Sequence, residues 1–125
     1  MKSKLYVVLV VALIFIVGCE NFGKTRFDKA KWSEDYEIGF PPPSRNKMLT
    51  DLVENHQLKG VRYNEVVKML GQPDIRDSAS FNYEIAIDYS GIDPVYIKYL
   101  EFNFSRDSII TAFHVEEWEK GQDEK

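Results

Sequence analysis

The stretch Leu58-Lys59-Gly60-Val61-Arg62-Tyr63-Asn64-Glu65-Val66-Val67-Lys68-Met69-Leu70-Gly71-Gln72-Pro73-Asp74 carries one helix and the signals that begin and end it. Tyr63, Val66, Val67 and Leu70 recur at i, i+3, i+4 and i+7, which sets them on one face of a helix. Gly71 stands where a left-handed residue closes a helix, and Pro73 forbids continuation. Gly60 separates this helix from an earlier one. There Met48, Leu49, Leu52 and Val53 share one side, and the pattern is expected to end near His56 or Gln57. Ser44 is the expected N-cap, because its hydroxyl can accept from an otherwise unpaired backbone N–H. Two short amphipathic helices with so brief a link predict a helical hairpin.

Downstream the period changes to two. Phe81, Tyr83, Ile85 and Ile87 are expected on one face, against Asn82, Glu84 and Asp88 on the other. Ser90-Gly91-Ile92-Asp93-Pro94 is a turn. Tyr96, Leu100, Phe102 and Phe104 then alternate with Ile97, Tyr99, Glu101 and Asn103. Ser105-Arg106-Asp107-Ser108 is a second turn, and Ile109, Thr111, Phe113 and Val115 alternate after it. Strands joined by short turns pair antiparallel. Their apolar face needs a cover, which the hairpin supplies. The expected fold is a two-layer α+β domain over residues 45–118, in the order α-α-β-β-β, with a three-stranded antiparallel meander. Residues 119–125 are expected to fray as a charged tail.

The N-terminus reads differently. Lys2 and Lys4 precede an unbroken apolar run, Leu5 to Val17, and Gly18 is a small residue before cleavage. That run is shorter than the ~20 residues a permanent membrane span requires. Ile16-Val17-Gly18-Cys19 is the pattern of a bacterial lipoprotein signal: cleavage between Gly18 and Cys19, with a diacylglycerol on the Cys19 thiol. Residues 1–18 are thus expected to be a signal peptide and Cys19 the lipidated first residue. A diacylglycerol with an added acyl chain anchors stably, whereas one chain does not. Cys19 is the only cysteine, so no internal disulfide can form. Glu20 does not decide between inner and outer membrane; the expectation is the outer membrane, facing the periplasm.

The signal holds Lys2 and Lys4 but none of the 20 acidic residues, leaving 14 basic side chains and a net charge of −6 on the mature part. Such a balance argues against nucleic acid, which requires a concentrated basic patch. It equally argues against a polybasic grip on anionic lipid. Residues 19–44 show no sustained period and close on Pro41-Pro42-Pro43, which favours an extended spacer. Phe27, Trp32, Tyr36 and Phe40 are unusual in a solvated linker. Either they pack back onto the domain, or they contact a partner.

At this point the chain resembles a family. Gly60, the Glu65-Val66 helix and Leu70-Gly71-Gln72-Pro73 are similar to the hallmark of the BamE (SmpA/OmlA-like) lipoprotein domain. Leu100-Glu101-Phe102-Asn103-Phe104, the polar turn and Ile109-Ile110 resemble that family's paired strands. The likeness covers roughly residues 45–117 and the lipoprotein signal. The same α-α-β-β-β unit builds β-lactamase-inhibitor-like folds. One departure is Arg62, where the family often has threonine or serine in a capping box; arginine cannot accept that hydrogen bond. The resemblance implies a fold rather than an active site. It also implies protein binding, since the family includes an accessory subunit of the outer-membrane protein insertion machine.

The residues themselves show no catalytic constellation. The serines lack a nucleophile-elbow context. No glycine-rich phosphate loop is present. His56 and His114 are the only histidines, and neither is read as having a carboxylate or cysteine at ligand spacing, so no metal and no cofactor are expected. Ile97, Tyr99 and Glu101 are expected on the open sheet face. With Trp32 and Tyr36 they are the candidates for partner contact, since aromatics are enriched at binding hot spots. The plainer alternative is that half-exposed aromatics are ordinary in small sheets. The function expected is a monomeric, non-catalytic lipoprotein that binds an envelope protein, as an accessory in outer-membrane assembly or envelope integrity. The alternative is an inhibitor-type module that blocks a secreted or periplasmic enzyme.

Overall fold

The computed structural model describes residues 25–121. The expected signal peptide, with Gly18, and the expected lipidation site Cys19 lie outside the described residues. The elements are α1 (Lys29–Trp32), α2 (Pro43–Asn55), α3 (Tyr63–Leu70), β1 (Ile75–Arg76), β2 (Ser80–Ser90), β3 (Asp93–Phe104) and β4 (Ile110–Glu119). The strands form one antiparallel sheet in the order β1-β2-β3-β4. The α+β class is as expected, but the sheet has four strands rather than three. β1 has only two residues, too few for any alternation, and pairs Ile75 with Asn82 and Arg76 with Phe81.

Both expected helices are present. Arg62 at the start of α3 makes no capping bond through its side chain, and the Gly71 N–H closes the helix on Val67 O at 2.8 Å. Gly71 has φ +81°, and a Cβ there would come within 3.3 Å of Ser33 Oγ. The start of α2 departs from expectation. Pro42 is the N-cap and Pro43 opens the helix, a place where a missing N–H costs nothing. Ser44 instead donates through Oγ to Lys31 O at 2.6 Å.

That bond belongs to a larger correction. The chain before Arg45 is not simply a spacer. Asp28 caps α1, accepting from the Ala30 and Lys31 N–H groups. α1 packs against both α2 and α3, and Trp32 is fully buried. Its indole lies 5.9 Å from the Phe27 ring and 6.2 Å from Tyr83. The folded domain therefore includes the chain from Phe27 onward. A two-helix cover is narrow for a long sheet, and the indole supplies the apolar area the hairpin lacks.

The core joins Trp32, Met48, Leu49, Leu52, Leu58, Val66 and Leu70 to Phe81, Tyr83, Ile85, Leu100, Phe102 and Ile110. Phe81 and Phe102 stack at 4.9 Å, 7° from parallel. Tyr83 brings its hydroxyl to Gly71 O at 2.7 Å, which ties β2 to the end of α3. Burial pushes the Tyr83 phenol far above its ordinary range. Residues Gly60 and Val61 bond with Ile110, so the chain entering α3 runs beside the start of β4.

Candidate functional site

Cross-strand register decides what the open face carries, because residues paired across a sheet share a face. Tyr83 pairs with Leu100 and Glu84 with Tyr99, but Ala86 is next, opposite Lys98. Ile85 is the extra residue of a bulge, and such an insertion reverses the alternation beyond it. Ile85 stays buried, while Ile87 pairs with Ile97 and leaves the covered face on which alternation had placed it.

Three cross-strand rows result. Ile87, Ile97 and Trp118 make an apolar row. Glu84, Tyr99 and Glu116 make the second, and Asn82, Glu101 and His114 the third. The buried side chains lie on the opposite face, and these residues are half-buried, as a sheet face without a second layer should be. Ile97, Tyr99 and Glu101 thus stand together where expected.

The polar rows are wired. Tyr99 donates from its hydroxyl to Glu116 Oε2 at 2.6 Å, and His114 Nε2 lies 2.6 Å from Glu116 Oε1. The bond to Glu116, followed by burial, pushes the Tyr99 phenol up to about 12. In turn the Tyr99 hydroxyl, then His114, holds the Glu116 carboxyl below its ordinary range. Burial, with Asp74 adding to it, raises the Glu84 carboxyl. Ligand atoms of Glu101, His114 and Glu116 lie within 4.8 Å of one another. Sequence reasoning missed this group. The available signal was His114-x-Glu116, two residues apart on one strand and so on one face. Glu101 could be added only from the register.

The other candidates separate. Trp32 is sealed in the core and cannot meet a partner. Tyr36 is 54% exposed. It lines a cleft of about 410 Å³ with Phe40, Pro41, Pro43, Asn46 and Ile87, beside the part of β2 that β1 does not reach. The Tyr89 hydroxyl donates to Gly39 O at 3.0 Å and its ring meets Phe40 edge-on, which pins this loop.

Among the described residues no helix is long and apolar enough to cross a membrane. Comparison with protein-family models, with characterised proteins and with solved structures finds no match to this chain, so the likeness to the BamE domain rests on the residues quoted for it.

Proposed function

We propose that this chain is a non-catalytic lipoprotein of the bacterial envelope, held at the membrane through Cys19, whose open sheet face binds an envelope protein. The reading takes the BamE-like resemblance as its guide and places the protein among the accessories of outer-membrane assembly. The observation that carries it is the uncovered face itself. An apolar row, Ile87-Ile97-Trp118, lies directly beside the polar row Glu84-Tyr99-Glu116, in which the Tyr99 hydroxyl bonds Glu116. Interfaces commonly combine an apolar centre with polar groups that fix orientation.

The test is site-specific photocrosslinking in intact cells. A crosslinking residue replaces Ile97 or Tyr99 in the full-length chain, with exposed Lys59 on the helical side as control. Adducts to insertion-machine subunits from the sheet positions, and none from the control, are expected. A soluble enzyme as the adduct would establish the inhibitor reading instead. Equal adducts from all three positions, or none, would overturn the proposed face. For the anchor, Cys19→Ala should abolish lipid labelling and leave the precursor unprocessed; normal processing and membrane retention in that variant would refute lipidation.

A further inference from the structure

We propose that Glu101, His114 and Glu116 form a binding site for a borderline divalent cation of the Zn²⁺ type on the open sheet face. This departs from the expectation of no metal, and it stands apart from the proposed partner. The three residues come from two neighbouring strands, with Glu101 directly opposite His114 and Glu116 two residues further along β4. Their ligand atoms already lie within 4.8 Å of one another. One imidazole and two carboxylates are a donor set that Zn²⁺ accepts in tetrahedral coordination, with a fourth position left open. Ca²⁺ would need six to eight oxygen ligands, roughly twice what this site provides, and Mg²⁺ has little use for imidazole.

The adjustment required is small. His114 Nε2 and Glu116 Oε1 are 2.6 Å apart because they share a hydrogen bond. With Zn–N and Zn–O bonds of about 2.1 Å, tetrahedral geometry separates the two ligand atoms by ~3.4 Å. Side-chain torsions can open that gap. The ion would replace the hydrogen of the His114–Glu116 bond, and Tyr99, bonded to Glu116 Oε2, would hold the carboxylate in place as an outer partner. The side chains of His114 and Glu116 are 41% and 44% exposed, so an ion has access.

One further observation points the same way. Asn82, the register partner of Glu101, has its side-chain oxygen buried without a hydrogen-bond donor among the described residues. A bound cation or its water would answer that acceptor.

The experiment titrates the full-length chain in detergent with ZnCl₂ by calorimetry, and with Co²⁺ by visible absorption, which reports tetrahedral coordination. One saturable ion per chain is expected. His114→Gln and Glu101→Gln should each weaken binding tenfold or more. His56→Gln, at the end of α2, should leave it unchanged. Far-UV circular dichroism checks that the variants remain folded. Absence of saturable binding, binding that survives His114→Gln, or equal loss in His56→Gln would each overturn the site.

Discussion

Arg45 and Asp74 form an ion pair at 3.0 Å that closes on the backbone of Glu84 from both sides. Arg45 Nη1 donates to Asp74 Oδ2 and to Glu84 O, while the Glu84 N–H donates to Asp74 Oδ2 at 2.7 Å. Arg45 Nε also reaches Trp32 O at 2.9 Å, and the guanidinium lies 5.2 Å from the Trp32 ring. β1 stops after two residues, so the next backbone groups of β2 would lack a strand partner. The ion pair supplies both a donor and an acceptor there, and so ends the sheet edge.

Removing Arg45 should therefore destabilise more than an ordinary surface charge. Arg45→Ala leaves Glu84 O and Trp32 O without a donor and Asp74 without its counter-charge. A loss of about 2–4 kcal/mol is expected, below the upper range for buried pairs because the Asp74 side chain is 36% exposed. Asp74→Asn keeps a donor and an acceptor and should cost about half as much. Urea unfolding followed by tryptophan fluorescence checks both; a change under about 0.5 kcal/mol, the scale of surface substitutions, would mean the pair is ornamental.

Trp32 and Tyr36 should separate sharply, although only three residues divide them. Trp32→Ala empties a fully buried site and should cost about 3–5 kcal/mol. Trp32→Phe should be milder, since the buried indole N–H has no acceptor to lose. Tyr36→Ala, at an exposed position, should stay within about 0.5 kcal/mol. Similar values for the two alanine variants would show that the fold does not begin before Arg45.

Acid should loosen the N-terminal join. Asp51 Oδ2 accepts from the Phe27 N–H at 2.7 Å, and that bond, then Asn55, holds its carboxyl below the ordinary aspartate value of 3.8. A depressed folded value means the contribution is complete above 3.8 and is lost as pH falls through the lowered value. The Phe27 amide resonance should titrate in that lower window and stop doing so in Asp51→Asn. A shift centred at or above the ordinary value would contradict the contact.

Alkali should act on the sheet face in the opposite sense. The Tyr99 phenol, raised to about 12 by Glu116 and burial, contributes fully below the ordinary value of 10.0 and loses its contribution as pH rises through about 12. Glu116→Gln should bring Tyr99 back toward 10.0, read from its ring-carbon resonance. Persistence near 12 in that variant would assign the shift to burial instead.

The two main helices, the long strands and the split between Leu100–Phe102 and Ile97–Tyr99–Glu101 were legible because each repeats a pattern over several residues. What was hidden depends on single residues. No glycine or proline marks the bulge at Ile85, so simple alternation sent Ile87 to the wrong face. α1 has only four residues, and no period can be read from so few; Asp28 as a cap was its one visible sign. Arg45 gives no such sign, because its partners are Asp74 and two carbonyls distant in the chain. His114 was read alone, although Glu116 shares its face by spacing and Glu101 joins them by register.

The burial of Trp32 and the capture of Phe27 by Asp51 also set a length. If Cys19 carries the proposed lipid, eight peptide steps separate it from Phe27, a reach of at most ~29 Å. Counted to Arg45, the unfolded tether would have reached about three times as far. Under that proposed anchor the domain would be moored close against the bilayer rather than paid out on a long line, and whatever meets its open face would have to come down to the membrane to do so.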